Sequence, residues 1–189
     1  MNYGMSVVRW TCPLLTQNGY PPVGFIVLLG SARCRMGVSD LLISVTAVCA
    51  SLALVSLGGG LYEFSAVDPF WPGRPDLIQP GRGGISRKRF WIAAHTAFEI
   101  MLVVALVAAW SIPGVRFWLL IALASHIIMR VWSAFDFIPK ALAFEKEEPG
   151  MIDKGAALRW TRRSRMRLPL DLVTCGAMLA AVITAAKLG

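Results

Sequence analysis

Four stretches of this chain stay apolar for the length of a bilayer crossing: residues 41–61, 90–112, 115–137 and 168–186. A helix rising about 1.5 Å per residue needs roughly 20 apolar residues to cover about 30 Å of hydrocarbon, so the pattern predicts four transmembrane helices. Ser111-Ile112-Pro113-Gly114 leaves room only for a tight turn between the second and third, which makes them an antiparallel hairpin. The expected fold is all-α: a polytopic membrane four-helix bundle built from two antiparallel transmembrane hairpins.

Local signals sharpen the helix ends. Ser39 or Asp40 suits an N-cap for the first helix. Pro169 and Asp171 open the fourth, where proline tolerates the first turn and a carboxylate complements the macrodipole. Gly58-Gly59-Gly60 lets a neighbouring helix approach closely. A phosphate loop is excluded there, because no strand precedes the glycines and no Lys-Ser/Thr follows them.

The segments outside the helices differ in character. Residues 1–36 hold one short apolar run, 23–29, too short to span and without a signal-peptide pattern. We read them as disordered or peripheral, or as a mis-assigned start with Met36 as the initiator, and residues 37–189 as the transmembrane domain. The loop 62–89 carries prolines at 69, 72, 75 and 80, so it cannot be one helix. Its Phe70, Trp71, Leu77 and Ile78 are too apolar for a floppy linker. Two placements stay open: folded on the membrane interface with Tyr62 and Trp71 at headgroup level, or a lid over a cavity.

Composition agrees with a membrane protein: 56% of residues are hydrophobic and the mean hydropathy is +0.61. The net charge of +8 does not point to nucleic acid, because thirteen of the nineteen Lys and Arg lie in the two loops 62–89 and 138–167. Clustering of that kind is a topology signal and an anionic-lipid contact. The positive-inside tendency puts both loops in the cytoplasm and, for a bacterial cytoplasmic membrane, both termini outside. Cys49 and Cys175 lie inside apolar helices without Cys-x-x-Cys spacing and read as small packing residues.

Against this apolar background one polar band stands out. His95-x-x-x-Glu99 and His126-x-x-x-Arg130 contain the only two histidines of the chain, and a four-residue interval brings each pair onto one helix face. Counted from the loop ends of their helices, His95, Arg130, Glu99 and His126 lie about 8, 10, 14 and 16 Å deep. Ionisable groups at membrane depth are costly and mark functional candidates. Glu63, Asp68, Trp71 and Asp136 sit at the same end and are candidate rim residues of a polar pocket opening to the cytoplasm.

Two readings of the band remain open. In the first, His95, Glu99, His126 and Arg130 are catalytic: His and Glu share proton transfer while Arg130 stabilises a developing oxyanion on a lipophilic small molecule or lipid. The corresponding reactions are isomerisation, hydration or cofactor-free oxygenation. In the second, Glu99 and Arg130 are a structural ion pair in a non-enzymatic carrier or accessory subunit. No cofactor is expected. Zinc or non-haem iron on the histidines and Glu99 is disfavoured by the nearby Arg130 cation, and bis-histidine haem by a level difference of about 8 Å. In spacing, the six residues from Ala94 to Glu99 resemble the His-x-x-x-Glu of membrane sterol isomerases related to emopamil-binding protein. The four-helix outline is similar to that of small anthrone-oxygenase-type membrane proteins. Both resemblances imply membrane-embedded small-molecule chemistry.

Overall fold

The computed structural model describes residues 37–188. The expectations for residues 1–36 fall outside them. Six α-helices, α1 (Val38–Tyr62), α2 (Arg87–Ala108), α3 (Pro113–Trp132), α4 (Ile138–Lys146), α5 (Lys154–Ser164) and α6 (Leu168–Ala186), account for most of the described chain, and no strand occurs in it. Four helical runs are long and apolar enough to cross a membrane: Ser39–Val67, Arg87–Ala108, Pro113–Lys146 and Lys154–Ala186. The fold is the all-α four-helix bundle of a multi-pass integral membrane protein. Its outward surfaces agree, with Ile100, Val107, Phe117, Ile128 and Ile183 all more than half exposed, as lipid-facing positions should be and as a soluble surface would not tolerate in such number.

Three of the four runs are longer than the apolar pattern indicated, and in the two longest a proline marks where the helix changes pitch and continues. Pro139 and Pro169 lack an N–H and crowd the carbonyl four residues earlier. The helices respond by changing pitch: α3 passes through a wide π turn, Ser133–Phe137, into α4, and α5 passes through a tight turn, Arg165–Arg167, into α6. Residues 138–167, expected as a loop, are therefore largely helical. At the other end of α1, Gly37 rather than Ser39 or Asp40 occupies the cap, and the Gly37 N–H donates to Asp40 Oδ2 at 3.1 Å from one turn on.

Small residues allow the bundle to close. In α6, Ala177, Ala181 and Ala185 recur at helical spacing and are at most 4% exposed, facing Cys49 and Ala53 of α1 and Leu119 and Ala122 of α3. Without a hydrophobic driving force between helices in lipid, such close backbone approach supplies the packing energy. A Cβ on Gly59 would collide with the Phe90 ring, and one on Gly60 would crowd Leu168, whereas Gly58 faces open space. The glycine run thus serves α2 and α6 through two of its three members. Helix α1 packs along α2 and α6, and α6 along α3, but α2 and α3 touch along little of their length despite their short connection. The hairpin is closed at its turn and open along its seam.

A second, smaller core caps the basic end of the bundle. Trp71 and Ile78 from the 62–89 segment are fully buried against Phe137, Phe144 and Trp160. Trp71 meets Phe144 at 5.3 Å and Trp160 at 5.8 Å between ring centroids. The Gln79 side-chain amide donates to the carbonyls of Phe144 (3.0 Å) and Glu147 (2.7 Å), tying the segment to the end of α4. The segment is thus a folded part of a cap, and Trp71 stands in its core. Its tightest point is a turn in which Gly83 has φ +86° and Gly84 lies against the backbone of Asp76, Leu77 and Gln79.

These two glycines should respond differently to substitution. Gly83→Ala meets open space and incurs only the left-handed backbone penalty, about 1–2 kcal/mol. Gly84→Ala drives a methyl into backbone that cannot swing aside and should cost more, about 3 kcal/mol. Thermal unfolding of both variants in detergent checks the order, and equal destabilisation would refute this account of the turn.

Candidate functional site

Helix α2 carries His95 and Glu99 in different directions. His95 is 7% exposed and turned inward, its ring stacked on Trp91 one turn earlier at 5.1 Å and 19°. The Glu99 side chain is 43% exposed and faces the open seam toward α3. There it meets the other half of the polar band: Glu99 Oε1 accepts from Arg130 Nε at 3.0 Å and lies 3.2 Å from His126 Nε2. One carboxylate oxygen therefore bridges two groups of α3 across the poorly packed interface. The rings of His95 and His126 lie 5.5 Å apart, and Phe98 packs edge-on against His126 at 4.9 Å. The histidines are closer than depth counting suggested, because both helix ends used for the count differ: α2 starts at Arg87 rather than residue 90, and α3 ends at Trp132 rather than residue 137.

Two spaces adjoin the band. A cleft of about 260 Å³ in the α2–α3 seam is lined by Glu99, His126 and Arg130 with Leu102, Leu123 and Val131. A larger cavity of about 400 Å³ lies between the bundle and the cap, with His95 and Trp91 on its wall. Arg130 lines both. Of the four catalytic candidates, Glu99, His126 and Arg130 are brought into direct contact. His95 stands beside them but faces the cavity, and its Nδ1 has no hydrogen-bond partner among the described residues.

The rim candidates divide in the same way. Glu63 and Asp68 line the cavity. Glu63 Oε1 accepts from Trp91 Nε1 at 2.9 Å, and Asp68 Oδ1 accepts from Trp71 Nε1 at 3.2 Å. Trp71 lies behind the wall. Asp136 does not reach the cavity: it pairs with Lys140 and with Arg163 at 2.7 Å, fastening the turn after α3 to α5. Burial, with the neighbouring Glu63 charge adding to it, pushes the Asp68 carboxyl up to about 6, against the opposing pull of the Trp71 indole and of Arg87 and Arg165.

Several cavity residues were not singled out from the sequence. Arg87 and Lys88 were read as topology charges, yet both line the cavity, and Lys88 reaches Glu145 of α4 at 2.7 Å. Arg167 and Asp171 are also on the wall. Their four-residue spacing at the start of the fourth apolar run was the available signal. Among the described residues no group of three or more His, Cys, Asp and Glu is placed to hold a metal ion. Comparison of the chain with protein-family models, curated proteins and solved structures finds no match. The resemblances noted above rest on spacing and outline alone.

The raised Asp68 value carries a sign. A carboxyl whose folded value lies above its unfolded value adds stability below the unfolded value, near 3.8, and that stability is lost as pH rises through about 6. Wild-type protein should lose on the order of 2–3 kcal/mol from this group between pH 4 and 7. Asp68→Asn, which keeps the acceptor for Trp71, should lose less over the same window. Parallel melting curves of the two proteins settle it, and identical pH dependence would exclude a protonated Asp68.

Proposed function

We propose that this integral membrane protein is an enzyme performing acid–base chemistry on a lipophilic small molecule held in the cavity between bundle and cap. The observation that carries the reading is His95: a buried imidazole on the wall of a cavity of about 400 Å³, with Nδ1 lacking a protein partner. Buried polar groups are nearly always hydrogen-bonded, and an imidazole on a cavity wall that is not committed to protein partners is open to a ligand. Imidazole both donates and accepts a proton, and the stacked Trp91, itself anchored by Glu63, fixes the ring's orientation. Arg130 at the boundary of cavity and cleft supplies positive charge for a developing oxyanion. Isomerisation, hydration or cofactor-free oxygenation needs no more than these groups. In this reading the cap faces the cytoplasm, because the clustered basic residues belong on that side.

A specific observation favours a structural role for the rest of the band. Glu99 is engaged by Arg130 and His126 at the one interface of the bundle that lacks extensive packing. Such a clamp holds the seam of α2 and α3 and leaves His95 as the reacting group. The same clamp would serve a non-enzymatic carrier or accessory subunit.

Two measurements separate these roles. If Glu99 and Arg130 are a clamp, Glu99→Gln or Arg130→Met leaves a partner charge at membrane depth and should cost about 3 kcal/mol, while the double change recovers much of the loss. Strict additivity in a double-mutant cycle in detergent would remove the clamp. For His95, the test is mass spectrometry of lipid-soluble molecules co-purified in mild detergent. His95→Gln should keep the wild-type melting temperature but alter the bound molecule, retaining substrate where the wild type retains product. An unchanged bound fraction and composition would reject the catalytic role.

A further inference from the structure

The cavity holds a second unpartnered polar group. Arg87 lines it at the start of α2, is 8% exposed, and its Nη2 has no hydrogen-bond partner among the described residues. Its guanidinium is held between two indoles, 5.3 Å from the Trp160 ring centroid and 5.8 Å from that of Trp71. Arg167 reaches the same wall from the start of α6, stacked over Phe137 at 4.5 Å. Its guanidinium donates to neutral groups, Ser133 Oγ at 3.1 Å and Ser164 Oγ at 2.6 Å. Trp160 and Phe137, which carry the two cations, are themselves in contact at 6.1 Å. None of the ion pairs among the described residues involves either arginine. Two guanidiniums set on one aromatic wall, neither of them in an ion pair, present positive charge that an anion in the cavity would complement.

The cavity's own carboxylates do not supply that complement directly. Glu63 and Asp68 are turned to tryptophan N–H groups, Glu145 is taken by Lys88, and Asp171, one turn after Arg167, forms no direct ion pair with it. Arg130 is engaged by Glu99, so around the space four cationic side chains (Arg87, Lys88, Arg165, Arg167) face four acidic ones (Glu63, Asp68, Glu145, Asp171). A balanced lining tolerates one added negative charge more readily than the two of a dianion. The ligand's body must be apolar, since Ile92, Leu168 and Phe64 complete the wall.

We infer that Arg87 and Arg167 form an anion subsite, and that the cavity's ligand is a monoanionic amphiphile, a carboxylate or phosphodiester head on an apolar body. This deepens the proposed function and rests on the same cavity. Arg87 and His95 are eight residues apart on one helix, about 12 Å along its axis. An anionic head held at Arg87 therefore places the part of the ligand that reaches His95 a comparable distance down its apolar chain, alongside Trp91 and Ile92. The arginines bind and position, and His95 faces the position that reacts.

The test uses cis-parinaric acid, a fluorescent eighteen-carbon fatty acid that accepts energy from tryptophan, and its uncharged methyl ester. Both are titrated into the full chain in detergent. The acid should bind at least tenfold more tightly than the ester, and Arg87→Gln should erase that advantage while leaving ester affinity unchanged. Arg87→Lys, which keeps the charge, should retain part of it, and Arg167→Gln gives a second route to the same loss should Arg87→Gln fail to fold. Displacement of the acid by inorganic phosphate would assign a free anion to the arginines; displacement by phosphatidylglycerol where phosphate is ineffective would assign a lipid head. Equal affinity for acid and ester in the wild type, or an acid advantage that survives both glutamine variants, overturns the anion subsite but keeps the cavity as a lipophilic site. Failure of both probes to bind removes the cavity reading as well.

Discussion

Proline placement at one end of the bundle is the constraint from which the rest of the architecture follows. Pro69, Pro139 and Pro169 each crowd the carbonyl four residues earlier, and those carbonyls belong to Ser65, Phe135 and Arg165. All three fall in turns of altered pitch, Glu63–Val67, Ser133–Phe137 and Arg165–Arg167. Three of the four spanning runs thus lose the regular ladder at the same end. Irregular backbone is tolerated near hydrocarbon only where protein or an aqueous cavity receives its polar groups, and the cap meets that demand: the Trp160 indole donates to the Phe137 carbonyl at 3.2 Å, and Arg167 Nε to that of Ser164 at 3.3 Å.

The cavity is the space left where two cores with different packing logic meet. The bundle core is built from alanine, cysteine and leucine at close helix spacing, while the cap core is built from tryptophan and phenylalanine. Large rings cannot mesh with a small-residue groove without leaving volume between. Charges collect in that volume because the helix ends that meet there carry both signs, Arg87 and Lys88 at the start of α2, Arg167 and Asp171 around the start of α6, and Glu63 and Asp68 after α1. The aromatic rings then hold the guanidiniums by cation–π contact, which positions each cation without neutralising it.

The helices were legible in the sequence because membrane-length hydrophobicity is a strong, local signal, and so was the polar band, because ionisable groups stand out against it. Direction was not. A four-residue spacing says that His95 and Glu99 share a face, but the face is broad: 400° of turn separates them by about 40°, and here that is enough to send one inward and the other to the α2–α3 seam. Arg87 shows the converse failure. Within Arg87-Lys88-Arg89 its charge was legible, but the aromatic slot that receives it is made by Trp71 and Trp160, sixteen residues before it and seventy-three after it. Pairings at such separations carry no local pattern.

The division of labour in the polar band also follows from packing. Where α1, α3 and α6 meet, small side chains hold the helices together, and no charge is needed. Where α2 and α3 diverge, packing is sparse, and an exposed carboxylate would be costly at that depth unless engaged. Arg130 and His126 engage it, so the groups that brace the seam are those whose hydrogen-bonding capacity is already used. Hydrogen-bonding capacity is left over on His95 and Arg87, and both residues line the cavity. The cap and the start of α2 are tied together at this wall, with Lys88 joined to Glu145 of α4 and Arg87 resting on two cap tryptophans, whereas His95 is stacked within α2 itself on Trp91.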